Sequence, residues 1–255
     1  MSADRREFLN LAVGGVAAVA TVVMAKNALA AGTKIKAIAF DGFPIIDARP
    51  VFAKAEEIFP GNGMALGNAW RTRQFEYSWL RTLGGKYTNF WQVTEESLVF
   101  SAKLLRLELS SAQRDQLMQT YLTLKAWPDA APALKELKAA GIRMAFLSNL
   151  TEEMLDAVVK NSNLQGIFEA HLSTDRVKAF KPDPRAYQMG VDAFKLKKEE
   201  IVFAAFGGWD AAGAKWFGYP TFWVNRMNLP VEELSVAPDG MSTGLSDLVK
   251  FVLPG

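Results

Sequence analysis

The chain has 255 residues, half of them apolar and 22% charged, enough to bury one sizeable core or a core carrying a smaller inserted subdomain. Its formal charge of +2 is too small to argue for nucleic acid or an anionic membrane surface as a partner. Cysteine is absent and histidine occurs once, at His171. That excludes disulfides and thiolate catalysis, and it makes a Ser-His-Asp triad or a histidine-rich metal site hard to build.

Residues 1–30 differ from the rest. Arg5-Arg6 lies in the run Asp4-Arg5-Arg6-Glu7-Phe8-Leu9, a small apolar stretch runs from Leu11 to Ala25, and Ala28-Leu29-Ala30 follows. A positive n-region, a short h-region and a small-x-small site form a secretory leader. The paired arginines before Phe8-Leu9 resemble the twin-arginine signal, which carries folded proteins across the bacterial inner membrane. The expected partner of this segment is therefore the twin-arginine export machinery. The expected product is a periplasmic protein starting at Ala31. An uncleaved leader acting as a membrane anchor is the alternative, although the stretch falls short of the roughly 20 apolar residues a spanning helix needs.

Beyond the leader, strand-like and helix-like segments alternate. Lys36-Ala37-Ile38-Ala39-Phe40 is a short apolar run that stops at Asp41 and predicts a buried strand. Residues 48 to about 127 break the rhythm: they are helix-like throughout, rich in aromatics and paired charges, with no clear strand run. Trp127-Pro128-Asp129 marks the return, because Pro128 disfavours a helix running through it. Further strands are expected at Arg143–Leu147, Ile201–Phe206 and Pro220–Val224. Helices are expected at about 130–140, 151–162, 184–194 and 209–217, with Thr151 as a start and Gly141 as a stop. Such alternation predicts an α/β fold with a doubly wound, mainly parallel sheet. Its core comprises residues 31–47 and 128–255, and residues 48–127 form an inserted helical subdomain.

Ligands of an open parallel sheet bind beyond the carboxyl ends of its strands. Asp41, Ser148-Asn149 and Asp210 fall there, and Lys181 sits in the loop Lys178–Pro184. Two carboxylates, a hydroxyl, an amide and an ammonium at one sheet edge suit acyl-ester or phosphoryl chemistry without histidine or cysteine. Taken singly, Asp or Ser at a strand end is more often a cap or turn residue. Their joint placement makes the site.

Phe40-Asp41-Gly42-Phe43-Pro44-Ile45-Ile46-Asp47 resembles the first motif of the haloacid dehalogenase superfamily. Leu147-Ser148-Asn149 resembles the second, Lys181-Pro182-Asp183-Pro184 the third, and Gly207-Gly208-Trp209-Asp210 part of the fourth. Two longer stretches, Trp70 through Arg81 and Lys181 through Tyr187, are similar to the L-2-haloacid dehalogenase family in particular. The resemblance implies a Rossmann-like core with a helical cap and a homodimer joined through cap and core helices. It also implies hydrolysis of an L-2-haloalkanoate to a D-2-hydroxy acid through an ester on Asp41. Arg71 would bind the departing halide or the substrate carboxylate, and Lys181 would offset the charge at Asp41. Asp210 would help activate water, and Ser148 and Asn149 would bind the carboxylate. Phe43, Trp70, Tyr187 and Trp209 would wall the pocket, although core packing is the commoner fate of aromatics.

The superfamily's phosphatases carry a second aspartate two residues after the nucleophile, as general acid and part of a magnesium site. Phe43 stands there and can do neither. A leaving halide needs neither proton nor metal, so no metal and no cofactor are expected. The family's Gly-Thr is Pro44-Ile45 in this chain, and its Ser-x-Asn positions are Ala205 and Gly207. Three polar groups near the nucleophile are thereby missing. The alternative reading is a protein of the same fold with an altered substrate or lost turnover, kept for binding or scaffolding.

Overall fold

The computed structural model describes residues 34–253. The leader expected at residues 1–30 lies outside them. Among the described residues no helix is long and apolar enough to cross a membrane.

Strand β1 (Ala37–Phe40) leads into the two-residue β2 (Ile46–Asp47). Four helices follow: α1 (Arg49–Ile58), α2 (Gly63–Leu83), α3 (Phe90–Leu104) and α4 (Ser111–Thr123). The chain returns through β3 (Lys125–Ala126), which pairs antiparallel with β2. This ladder is a narrow stem where the helical block leaves the sheet domain and rejoins it. The remaining elements are α5 (Ala130–Ala139), β4 (Arg143–Ser148), α6 (Glu152–Asn161), β5 (Ala170–Ser173), α7 (Pro184–Phe194), β6 (Ile201–Ala205), α8 (Gly208–Phe217), β7 (Thr221–Val224), β8 (Gly240–Ser242) and α9 (Ser246–Val252).

Six strands form one parallel sheet in the order β5-β4-β1-β6-β7-β8. The doubly wound α/β expectation holds. Strand β1 is buried along its whole length and alternates faces as a period of two requires. Ile38 and Phe40 join one hydrophobic cluster with α5, α6 and α9, whereas Ala37 and Ala39 join a second with α7 and α8. The small residues let α7 and α8 lie close to the sheet on the face that carries the site. Thr151 caps α6, its hydroxyl accepting from the Met154 amide at 3.3 Å, and Gly141 beyond α5 adopts φ +79°, where a side chain is disfavoured.

The chain runs from β1 toward β4 and β5, then crosses back to β6 and continues to β7. The winding therefore reverses between β1 and β6. A crevice opens at such a switch point, and ligands bind there.

Candidate active site

Asp41 is the first residue past β1, at the reversal point, and its amide donates to the Ala204 carbonyl at 3.0 Å. One carboxylate oxygen accepts from Lys181 Nζ at 2.7 Å and from Ser148 Oγ at 3.5 Å. The other accepts from the Phe43 amide at 3.3 Å. Lys181 Nζ also donates to Asp210 at 2.5 Å, and the second Asp210 oxygen accepts from the Tyr187 hydroxyl at 2.7 Å. Lys181 and Asp210 are each 1% exposed and Asp41 8%, so an ammonium bridges two carboxylates in a nearly dry setting.

Each member is placed by local structure. Lys181 comes from the loop before α7, where its own amide donates to Asn149 Oδ1 at 3.0 Å. Asp210 lies in the first turn of α8, whose N-cap is Gly207. Gly213 faces Tyr187 so closely that a Cβ would stand 2.5 Å from its hydroxyl, which explains why no side chain occupies that position. At Gly42 an added Cβ would stand 2.7 Å from Leu150 and 3.1 Å from Ser148 Oγ.

Burial alone would lower the Lys181 ammonium, but the charges of Asp210 and Asp41 outweigh it and raise its pKa above the ordinary lysine value. Burial pushes the Asp210 carboxyl up to about 6, with Lys181 pulling it down and Asp41 pushing it further up. Burial, followed by the Asp210 charge, holds the Tyr187 phenol well above its usual range, so it stays a donor.

The loop after Asp41 is held by its carbonyls. Gly42 O accepts from the Ile45 and Ile46 amides at 3.1 and 3.0 Å, and Phe43 O from Trp127 Nε1 at 3.2 Å. Pro44 O accepts from Arg226 at 2.7 Å, and Ile45 O from the Trp127 amide at 2.8 Å. Arg226 also pairs with Asp129 at 2.9 Å, and the Trp127 ring lies 4.6 Å from the Arg49 guanidinium and 4.7 Å from that of Arg226. With its carbonyls engaged, the loop turns the Phe43 amide toward the carboxylate.

Beside the site is a cavity of about 420 Å³ between the sheet edge and α1–α4, walled in part by Phe43, Trp70, Arg71 and Phe206. Asp41 is not itself on that wall. Phe43 joins the two spaces: its amide binds Asp41, while its ring packs on Phe206 with centroids 5.7 Å apart. Arg71 is half-buried and has no carboxylate partner among the described residues; its Nη1 rests 3.1 Å from Met227 Sδ. Its α2 neighbours Arg73 and Arg81 pair instead with Glu76 and Glu96. Desolvation lowers the Arg71 pKa from the usual arginine value, a cost that an incoming anion would offset. A larger, open depression of about 950 Å³ between α2 and α3 contains no member of the carboxylate–lysine cluster.

The structure thus brings together Asp41, Ser148, Asn149, Lys181, Tyr187 and Asp210, with Phe43 and Arg71 facing the adjoining cavity. Tyr187 is fully buried behind Asp210 and does not line the cavity. Trp209 packs on α2, 5.2 Å from Phe75 and 5.5 Å from Trp79, and its indole fills the space a side chain at 207 would need. Trp127, Arg226 and Asp129 were not among the residues expected at the site. Arg226 lies two residues past the end of β7, close enough for the strand-end rule to reach it.

Residues 18–218 match the family described as haloacid dehalogenase-like hydrolase. An (S)-2-haloacid dehalogenase from Pseudomonas sp. (strain YL) is 39% identical over 218 residues, covering 85% of this chain and 94% of that protein. Haloacetate dehalogenase H-2 from Moraxella sp. (strain B) is 39% identical over 207 residues, 81% of this chain and 92% of that one. Among solved structures, the L-2-haloacid dehalogenase from Xanthobacter autotrophicus superposes with a TM-score of 0.79 at 33% identity, over 86% of this chain and 98% of that one. It has also been solved with chloropropionic acid covalently bound.

Lys181→Met should destabilise the fold by about 3–5 kcal/mol in urea denaturation, since two buried carboxylates lose their counter-charge. Asp210 has a raised folded pKa, so its contribution to stability is present below the ordinary 3.8 and lost as pH rises through about 6. The defect should therefore be smaller at about pH 5 than at about pH 8. A pH-independent defect would contradict this electrostatic account.

Proposed function

The chain belongs to the haloacid dehalogenase-like hydrolase family, and from that premise we propose that it hydrolyses the carbon–halide bond of L-2-haloalkanoic acids, giving D-2-hydroxy acids. The observation that carries this reading is the Asp41 carboxylate, pinned by Lys181 beside a cavity whose wall offers one cation, Arg71, without a carboxylate partner among the described residues.

Asp41 Oδ attacks C2 from the side opposite the halogen. The new C–O bond forms as the C–X bond breaks, configuration inverts, and the halide leaves toward Arg71. Ser148 and Asn149 hold the substrate carboxylate, the Ser148 hydroxyl turning its one proton from Asp41 to the substrate. The Asn149 amide nitrogen has no hydrogen-bond partner among the described residues, while its oxygen orients Lys181. Water then attacks the ester carbonyl of Asp41. The proton it loses passes to Asp210, which returns it to the departing C2 oxygen as the acyl C–O bond breaks. The 2-hydroxy acid leaves with the oxygen that Asp41 contributed, and the remaining carboxyl proton is released to water. Helices α1–α4 act as the cap that keeps bulk water from the ester. Asp210 must be ionised to take the proton, so activity depends on a group with a pKa of about 6.

The magnesium used by the superfamily's phosphatases does not suit this donor set. Phe43 stands where those enzymes have an acid, and Lys181 Nζ already bridges the two carboxylates a divalent ion would share. No step runs through a metal. The intact carboxylate–lysine cluster favours turnover over the alternative of a scaffold that lost it. The missing polar groups weigh on the second half-reaction, where one preorganised donor can be worth about 10²–10³ in rate.

Export completes the proposal. Arg5-Arg6, the apolar stretch and Ala28-Leu29-Ala30 support twin-arginine transport, cleavage after Ala30 and a periplasmic enzyme, and the resemblance to the dehalogenases supports a homodimer. Changing Arg5-Arg6 to Lys-Lys should leave the protein in the cytoplasm on fractionation. Normal periplasmic accumulation of that variant contradicts the route.

Asp41→Asn should lower halide release from (S)-2-chloropropanoate to background while leaving the melting temperature within a few degrees of wild type, because the amide is nearly isosteric. Intact-mass analysis of wild type under turnover should show an adduct that maps to Asp41. Wild-type rates in the purified variant would contradict the mechanism at its first step.

A further inference from the structure

The cavity beside Asp41 is larger and more apolar than a two- or three-carbon acid requires. Its volume of about 420 Å³ falls within the roughly 300–1,000 Å³ of sites that enclose drug-sized ligands. Phe52, Met64, Trp70, Phe75, Phe90 and Trp127 supply much of its wall.

The polar groups on that wall are largely committed elsewhere. Gln74 donates to Thr94 Oγ1 at 2.9 Å and to the Tyr121 hydroxyl at 3.1 Å, and Trp70 Nε1 donates to Thr94 O at 2.7 Å. Trp127 Nε1 is held by Phe43 O, Arg49 by Asp47 at 2.6 Å, and Arg226 by Asp129 and Pro44 O. A ligand filling this space therefore meets hydrocarbon and ring faces, with one cation, Arg71, lacking a carboxylate partner among the described residues. A short haloacid bound at Asp41 leaves most of the wall without contact, forfeiting the dispersion and burial that a filled site gains.

Resting on the dehalogenase reading, we propose that this cavity is a tail subsite and that the enzyme acts on L-2-haloacids bearing a medium-length alkyl chain or an aryl group in preference to haloacetate or 2-halopropanoate. The reacting carbon sits at Asp41, the halide leaves toward Arg71, and the substituent on C2 passes Phe43 and Phe206 into the cavity. The bonds broken and formed are those of the parent reaction; only the fate of the tail is new.

The test is halide release from the purified mature enzyme with (S)-2-chloropropanoate, -butanoate, -hexanoate and -octanoate and with (S)-2-chloro-3-phenylpropanoate. kcat/KM should rise about fourfold per buried methylene until the cavity is filled, mainly through KM. In parallel, unhalogenated straight-chain carboxylates of the same lengths are titrated against tryptophan fluorescence, since Trp70 and Trp127 stand on the wall. Affinity should rise with length in the same way. Halide release that is greatest with chloropropanoate and declines with length, together with length-independent binding, overturns the subsite while leaving dehalogenation intact. No halide from any acid, with affinity still rising with length, overturns dehalogenation and leaves the subsite. Failure of both arms overturns both.

Discussion

Lys181 is the charge around which the site is built. Its ammonium is almost wholly buried and lies within hydrogen-bond reach of two carboxylates that come from different parts of the chain. Transfer of such charges out of water costs several kcal/mol per ion, and removing one partner of a buried group is costlier than never having formed it. The sheet order ensures that the partners meet. Asp41 follows β1 and Asp210 lies in the first turn of α8, just after β6, the neighbour of β1, so both lie at the crevice where the winding reverses. Asn149, just past β4 on the other side of β1, holds the Lys181 backbone in place. The small residues of β1 on the α7–α8 face permit the close approach, and Gly213 makes room for the tyrosine that completes the cluster.

The nucleophile loop shows how a site can be held without the usual side chains. Ile45 has no hydroxyl to offer and is fully buried in the larger core, and Pro44 has no amide. Fixation comes instead from outside the loop, through Trp127 and Arg226 gripping three consecutive carbonyls. The Asp41 carboxylate keeps three donors: the Phe43 amide, Ser148 and Lys181. At position 207 the change is coupled to a neighbour, since the Trp209 indole nitrogen would stand 2.8 Å from an added Cβ. A polar side chain there requires that indole to move off Phe75 and Trp79, so returning one residue to the family pattern would not return its environment.

The sequence made the centre of the fold legible and its edges much less so. Strands β1, β4, β6 and β7 are apolar runs because helices cover the sheet on both faces, and each was anticipated to within a residue or two. Strands β5 and β8 were not anticipated. They lie at the two edges of the sheet, and Ala170–Ser173 and Gly240–Ser242 are too short and too polar to stand out from loops. Helix α9, only seven residues long, carried no signal of its own. At the site, strand-end placement found Asp41, Ser148, Asn149 and Asp210, whereas family resemblance was needed for Arg71, which sits on a helix and faces the cavity across space. In the sequence Trp127 marks only the return from the helical block, because carbonyl contacts made at long range leave no spacing to find.

The central claim is that an oxygen of Asp41 becomes part of the product and is replaced from water. A single turnover with enzyme in excess over (S)-2-chloropropanoate in ¹⁸O-water tests this most directly. The account predicts ¹⁸O in the side chain of the peptide containing Asp41 and unlabelled hydroxyl oxygen in the 2-hydroxy acid. Label in the product hydroxyl with none in Asp41 would mean that water attacks C2 directly, and the covalent route would be wrong.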